Sequence, residues 1–249
     1  MRTRRTLWIG ALAVLAFAII LVARFPAAWA QGALPKDFSC DEVDGTVWNG
    51  SCNGLMLHHQ QLIGDLNWQL HPARLLAGRL AAHVQLTQAG GFANGDIELG
   101  FGGRIEGRAM HANVRLNPQL LPQLPASLRG GALADLALVE VKDGRVTELV
   151  GRIEAHDLEE TSGSVTPLGS YALSFAGAAS GGALTGKLVD VGGPLAVQGT
   201  LRMTPEPGFV LEGTVASRSN VTPELARQLQ MLGAPDVQGR RSFSIANTF

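Results

Sequence analysis

Residues 82–103 read AHVQLTQAGGFANGDIELGFGG, and their apolar side chains recur at every second position: Ala82, Val84 and Leu86, then Ile97, Leu99 and Phe101. A spacing of two puts each set on one face of an extended strand, whereas a helix would need spacings of three and four. Gly90-Gly91 with Asn94-Gly95 separates the two runs and Gly102-Gly103 follows them, so turns are expected there. The pattern continues outward, to Leu66, Trp68 and Leu70 upstream and to Ala112, Val114 and Leu116, before Asn117-Pro118, downstream. Strands this close in sequence, joined by short turns, predict an antiparallel meander.

The second half has the same texture. Lys142-Asp143-Gly144 predicts a hairpin turn between Val139, Val141 and Val146, and Tyr171, Leu173 and Phe175 follow a Ser/Thr/Gly stretch at 161–166. Further runs centre on Leu184, Gly186 and Leu188, on Leu195 to Met203, and on Phe209 to Val215. Gly186, Gly199 and Gly213 stand in phase with apolar neighbours, which marks either a bend or the close approach of another element or an acyl chain. Helix is scarce. Thr222-Pro223-Glu224 supplies a cap, a first-turn proline and a first-turn acid, and Leu225, Leu229 and Leu232 follow before Gly233. His71 to Leu76 and Pro118 to Leu128 add a turn or two, the latter broken by Pro122 and Pro125.

At the N-terminus, Leu7 to Ala23 is an uncharged apolar run that as a helix would rise about 25 Å, the short end of the spanning range. Arg2, Arg4 and Arg5 precede it and Arg24 follows, so the positive-inside rule exports the rest of the chain. Ala28-Trp29-Ala30 has the form of a signal-peptidase site, which would make the segment a cleaved signal. The length of the run, and an interfacial Trp29 beside Arg24, favour a retained single-pass anchor over residues 1–24. Residues 25–249 then form one exported β-rich domain.

Export places Cys40 and Cys52, the two cysteines of the chain, in an oxidising compartment, and a disulfide loop 40–52 is the expectation. Two buried reduced thiols are the alternative. A metal site would need further ligands, and neighbouring His58 and His59 would point to opposite faces of a strand.

Charged residues make up 16% of the chain, against a usual quarter, and 31 residues are glycine. So little charge implies that part of the surface is covered by a partner or by lipid. Beyond residue 24, 16 basic side chains face 21 acidic ones, a net of −5, which argues against nucleic acid as a partner. No His-Glu-x-x-His, nucleophile elbow or Walker lysine loop is present, and Gly100-Phe101-Gly102-Gly103 lacks the third glycine and the helix of a dinucleotide fingerprint. The clusters Asp41, Glu42, Asp44 and Glu154, Asp157, Glu159, Glu160 lack calcium-loop spacing and are expected to be solvated acidic loops. No enzyme activity, cofactor or metal is expected.

The stretches Gly45-Thr46-Val47-Trp48-Asn49-Gly50 and Leu66-Asn67-Trp68-Gln69-Leu70, the latter leading into Leu75 to Leu80, are distinctive. So are Val191-Gly192-Gly193-Pro194-Leu195 with Gly199, and Leu229 to Gly233 followed by Gly239-Arg240-Arg241-Ser242-Phe243-Ser244. In this order, over nearly the whole chain, they resemble the type II secretion system protein N family, also called general secretion pathway protein N. The resemblance implies a single-pass protein of a Gram-negative inner membrane with its bulk in the periplasm, and the residues themselves predict that bulk to be a curved antiparallel β-sheet with one short amphipathic helix near the C-terminus. It implies an accessory role in moving folded proteins across the outer membrane, with inner-membrane secretion subunits as partners, and it transfers no catalytic residue. A glycine-bearing sheet behind one anchor also resembles lipid-transfer proteins, so a lipid-binding β-groove is the alternative.

Overall fold

The computed structural model describes residues 2–29, 37–57, 61–100, 102–116, 125–179, 183–204 and 208–248, and in the first helix the side chains from Leu12 onward. The expectations placed on Ala30, His58, His59, Phe101, Asn117-Pro118 and the turn within 117–124 lie outside these residues.

The chain is mostly β, with thirteen antiparallel strands among the described residues, and it divides into two compact units, Met1–Gln88 and Ala89–Phe249. The first holds α1 (Arg2–Ala23), β1 (Phe38–Gly45), β2 (Asn49–Leu57), β3 (Gln61–Leu70), the single turn α2 (Pro72–Leu75) and β4 (Leu80–Gln88). The second holds β5 (Gly91–Leu99), β6 (Ile105–Arg115), β7 (Leu128–Lys142), β8 (Arg145–Glu160), β9 (Thr166–Ala178) and β10 (Leu184–Gly192). It continues with β11 (Leu195–Thr204), β12 (Gly208–Ser217), α3 (Pro223–Gln230) and β13 (Arg241–Thr248). Within each unit every strand pairs antiparallel with its neighbour in sequence, the meander that the spacing of two predicts.

Among the described residues no helix is long and apolar enough to cross a membrane. The expected spanning helix therefore has no support from the fold itself.

Several local expectations change. Asn94-Gly95 lies inside β5 rather than in a turn, at a register shift between Asn94 and Asp96, and the break before β5 falls at Ala89-Gly90. The two acidic clusters are strand, not loop: Asp41, Glu42 and Asp44 belong to β1, and Glu154 to Glu160 close β8. The expected Cys40–Cys52 disulfide is present, with Cα atoms 5.6 Å apart, and the loop it closes is the hairpin of the paired strands β1 and β2. In α3 the Thr222 hydroxyl accepts from Leu225 N, and Leu225 and Leu229 are buried, while Leu232 lies beyond the helix and is exposed. Strand β13 was not anticipated.

The register of the second unit sorts its side chains into two faces. Met110, Leu136, Gly151, Phe175, Gly186, Leu201, Leu211 and Ile245 are successive cross-strand partners, a wholly apolar row. One residue along each strand runs the row Asn94, His111, Asp135, Arg152, Ser174, Lys187, Thr200, Glu212 and Ser244, which faces the other way. On the apolar face Leu149, Phe175 and Leu184 form one buried cluster, and Val197, Val215 and Leu229 of α3 form another. The in-phase glycines have two explanations. A Cβ on Gly186 would lie 2.6 Å from the Phe175 ring, so there a phenyl ring covers bare backbone. Gly199 and Gly213 are cross-strand partners whose backbones meet closely: a Cβ on Gly199 would lie 2.7 Å from Glu212 O, and one on Gly213 would lie 2.3 Å from Gln198 O and 2.8 Å from both Gly199 Cα and the Phe243 ring.

Candidate functional site

The glycine and tryptophan positions singled out in the sequence converge at two places, one in each unit. In the first unit, Gly45-Thr46-Val47-Trp48-Asn49-Gly50 is the turn between β1 and β2. Thr46 N donates to Asn49 O at 2.9 Å, and Asn49 N donates to Thr46 O and to the Thr46 hydroxyl, each at 3.2 Å. Gly45 enters the turn with φ +85°, where a side chain would be strained, and Gly50 leaves it beneath the Trp68 indole. The Trp68 Nε1–H donates to Val47 O at 2.9 Å, which fixes the turn against β3.

This turn holds the end of α1. The last carbonyls of a helix have no partner within it, and here Val22 O accepts from the Trp48 indole N–H at 2.7 Å while Phe25 O accepts from Val47 N at 2.9 Å. Pro26 bridges to Thr46, Phe25 and Trp29 pack as tilted rings with centres 5.6 Å apart, and Ala27 is buried. On its other side Trp48 O accepts from Leu70 N at 2.7 Å. The disulfide ties β1 to β2 behind the turn, with Cys52 almost fully buried. Sequence reading picked out Trp48 and Trp68 but not Val22 or Phe25, because a backbone carbonyl carries no side-chain signature.

In the second unit, Val191-Gly192-Gly193-Pro194-Leu195 turns β10 into β11. Gly193 (φ +124°) and Gly169 (φ +98°) pack backbone on backbone: a Cβ on Gly193 would lie 2.5 Å from Gly169 Cα. Pro194 is buried. Arg218 reaches over the turn, donating to Gly193 O and Leu195 O at 3.1 Å each and pairing with Asp190, whose other oxygen accepts from Val197 N at 2.9 Å. Asp190 and Arg218 were missed, although a lone carboxylate in the apolar run Leu188-Val189-Asp190-Val191 was a signal. Burial is the strongest single influence on Asp190 and pushes its carboxyl up, but the Arg218 hydrogen bond, the Val197 amide and the Arg218 charge together hold it below its ordinary range. Burial, then the Asp190 charge, pushes the Tyr171 hydroxyl up, against Arg218.

A carboxyl depressed on folding stabilises the fold above its unfolded value near 4 and loses that contribution as pH falls through the folded value. Arg218→Met is therefore expected to lower stability at neutral pH, with the gap from the parent narrowing below about pH 4 to what the bonds to Gly193 O and Leu195 O contribute. Urea melts of both proteins between pH 7 and 3 check this; a gap that stays constant down to pH 3 would refute the linkage.

Chemistry is sparse elsewhere. A cavity of about 690 Å³ is lined by Ser174, Lys187, Thr200 and Glu212 with Gly199 and Gly213, and one of about 380 Å³ by Phe92, His111, Leu133, Asp135, Arg152 and Glu154. Both draw most of their lining from the polar face. In the smaller one His111 Nδ1 lies 3.4 Å from an Asp135 carboxylate oxygen, and Arg152 pairs with Glu154 at 2.9 Å. Among the described residues no three His, Cys, Asp or Glu side chains are grouped to hold a metal ion.

Comparison with known proteins gives these sites a context. A family model described as type II secretion system (T2SS), protein N, matches residues 37–244, a span that begins at β1 and ends within β13. The chain is 25% identical over 242 residues to the type II secretion system protein N of Aeromonas hydrophila, covering 93% of this chain and 94% of that one. It is also 25% identical over 222 residues to the protein of the same name from Vibrio cholerae serotype O1, covering 85% of each. No solved structure matches the chain.

Proposed function

The chain belongs to the type II secretion system protein N family, and from that premise we propose that it is a non-enzymatic accessory component of the type II secretion machinery, held in the inner membrane by α1. In this reading the two β units lie in the periplasm and support the export of folded proteins across the outer membrane. The family match over residues 37–244 carries the proposal, because it takes in both glycine turns and nearly every strand. Three features support the topology. Arg2, Arg4 and Arg5 precede the apolar run Leu7 to Ala23. The cysteines are paired, which suits an oxidising compartment. The β1–β2 turn donates to Val22 O at the end of α1 and to Phe25 O just beyond it, which ties the sheet of the first unit to the point where the helix ends. The partners would be inner-membrane subunits of the same machinery, met through sheet edges and the apolar face.

A second reading, a lipid-binding groove, draws support from the apolar row of the second unit. That row crosses eight strands, yet α3, the one helix among the described residues of that unit, packs by Leu229 on Val197 and Val215 at one end.

One experiment separates the two. The full-length protein is solubilised from its native membrane in mild detergent, and the proteins and lipids that remain bound are identified by mass spectrometry. Retained secretion subunits are the expected result. Stoichiometric lipid without those subunits favours the groove, and recovery of the protein in the soluble fraction, with neither bound, overturns both.

A further inference from the structure

The hydrogen bonds of the first unit gather three segments at one edge: the end of α1, the β1–β2 turn and the β3–α2–β4 connection. Trp48 joins the first two through Val22 O, and its own carbonyl accepts from Leu70 N, one residue before His71-Pro72. His71 N in turn donates to Ala81 O, which closes the connection over residues 72–80 as a compact lobe. The segment that projects there reads Pro72-Ala73-Arg74-Leu75-Leu76-Ala77-Gly78-Arg79.

The lobe is built against the usual logic of a water-facing turn. None of the residues of α2 is buried, Leu76 is 94% exposed and Leu75 43%. Trp29, on the segment that leaves α1, is 72% exposed. Arg74 and Arg79 flank the two leucines, Arg24 stands at the end of α1, and no Asp or Glu occurs between Leu66 and Gly95. Beyond α1 the chain carries a net negative charge, so a lobe that is apolar at its tip and cationic at its base is local in character. Leucines that enter an acyl boundary, guanidinium groups at the level of phosphates and a tryptophan at the interface are the features that hold a segment in the plane of a membrane surface.

We propose that residues 72–79 are a second membrane contact: Leu75 and Leu76 enter the leaflet from which α1 emerges, and Arg74 and Arg24 face the headgroups of anionic phospholipid. The inference rests on α1 as the anchor. Two contacts on one edge fix the tilt of the first unit on the membrane, which a single helix would leave free.

The test uses the full-length protein in nanodiscs of phosphatidylethanolamine and phosphatidylglycerol. Nitroxide labels are placed one at a time by Leu76→Cys, Val14→Cys and Val237→Cys; the native cysteines are paired and do not take the label. Access to oxygen, which concentrates in the bilayer, is compared with access to a water-soluble nickel chelate. The expected result is a loss of chelate access and a gain of oxygen access at positions 14 and 76 relative to 237, which is fully exposed. A label at 76 that stays open to the chelate, with 14 in the bilayer, overturns the second contact and leaves the anchor standing. Chelate access at both positions overturns the anchor and this inference with it. Shielding of position 76 from both reagents means that protein, a second copy or a partner, covers the lobe, and also overturns the lipid contact.

Discussion

Replacing Cys40 and Cys52 together by alanine is expected to lower the unfolding free energy of the first unit by about 3 kcal/mol, the loop-entropy value for a crosslink of this length. The separation is 12 residues, and both strands it joins are already paired, so the crosslink acts chiefly by restricting the unfolded chain. The first unit has little else to fall back on. Its described buried apolar residues are Ala27, Cys52, Leu55 and Ala81, and a core of that size supplies a small margin. Alanine is chosen over serine because Cys52 is 1% exposed and a hydroxyl there would be desolvated without a partner. Denaturant melts followed by tryptophan fluorescence read the first unit directly, since all four tryptophans precede residue 69. The parent protein melted with dithiothreitol should fall to the midpoint of the double variant, which itself should not respond to the reductant. A parent midpoint unmoved by full reduction would show that the hairpin is held by its ladder alone.

The secretion-related fold was legible where side chains repeat and illegible where backbone decides. The spacing of two at Ala82, Val84 and Leu86 or at Leu195, Val197 and Leu201 is printed in the chain, and so is the two-residue turn Asp143-Gly144, where both residues take positive φ. Asn94-Gly95 carries the same turn signal yet lies in a strand, because the register shift opposite Ala109 and Met110 absorbs the irregularity that a turn would otherwise take. Strand β13 was hidden because its two large apolar residues, Phe243 and Ile245, stand among Arg, Ser, Ala, Asn and Thr. Its pairing with β12 and the packing of Phe243 against the Val197–Val215 cluster, rather than its own hydrophobicity, make it a strand. The site was half legible in the same sense. Glycines and tryptophans in fixed order marked where backbones meet closely, but of the atoms they meet, Val22 O belongs to a helix read only as an anchor and Phe25 O to the segment that leaves it.

Gly50→Ala tests that close meeting. A methyl group there would lie 2.5 Å from Trp68 Cζ2, 2.8 Å from Thr46 O and 2.9 Å from Asp44 O. The indole edge could move, but Thr46 O is held in the turn by its hydrogen bond from Asn49 N, and Asp44 O belongs to β1, where Asp44 pairs with Ser51 of β2. Relief requires the turn to open, which releases the Trp68 N–H from Val47 O and, beyond it, the Trp48 and Val47 donors from the end of α1. Overpacking of a rigid site costs about 1–3 kcal/mol, and here the loss of shared hydrogen bonds adds to it, so a fall of about 3 kcal/mol is expected. Gly192→Ala is the matched control, since nothing lies within 4 Å of its Cβ and its φ is not left-handed. That variant should melt within about 0.5 kcal/mol of the parent. Tryptophan emission should shift to the red in Gly50→Ala as Trp48 and Trp68 gain water, and not in Gly192→Ala. Equal stability of the two variants would mean that the turn yields without cost and does not couple α1 to the sheet.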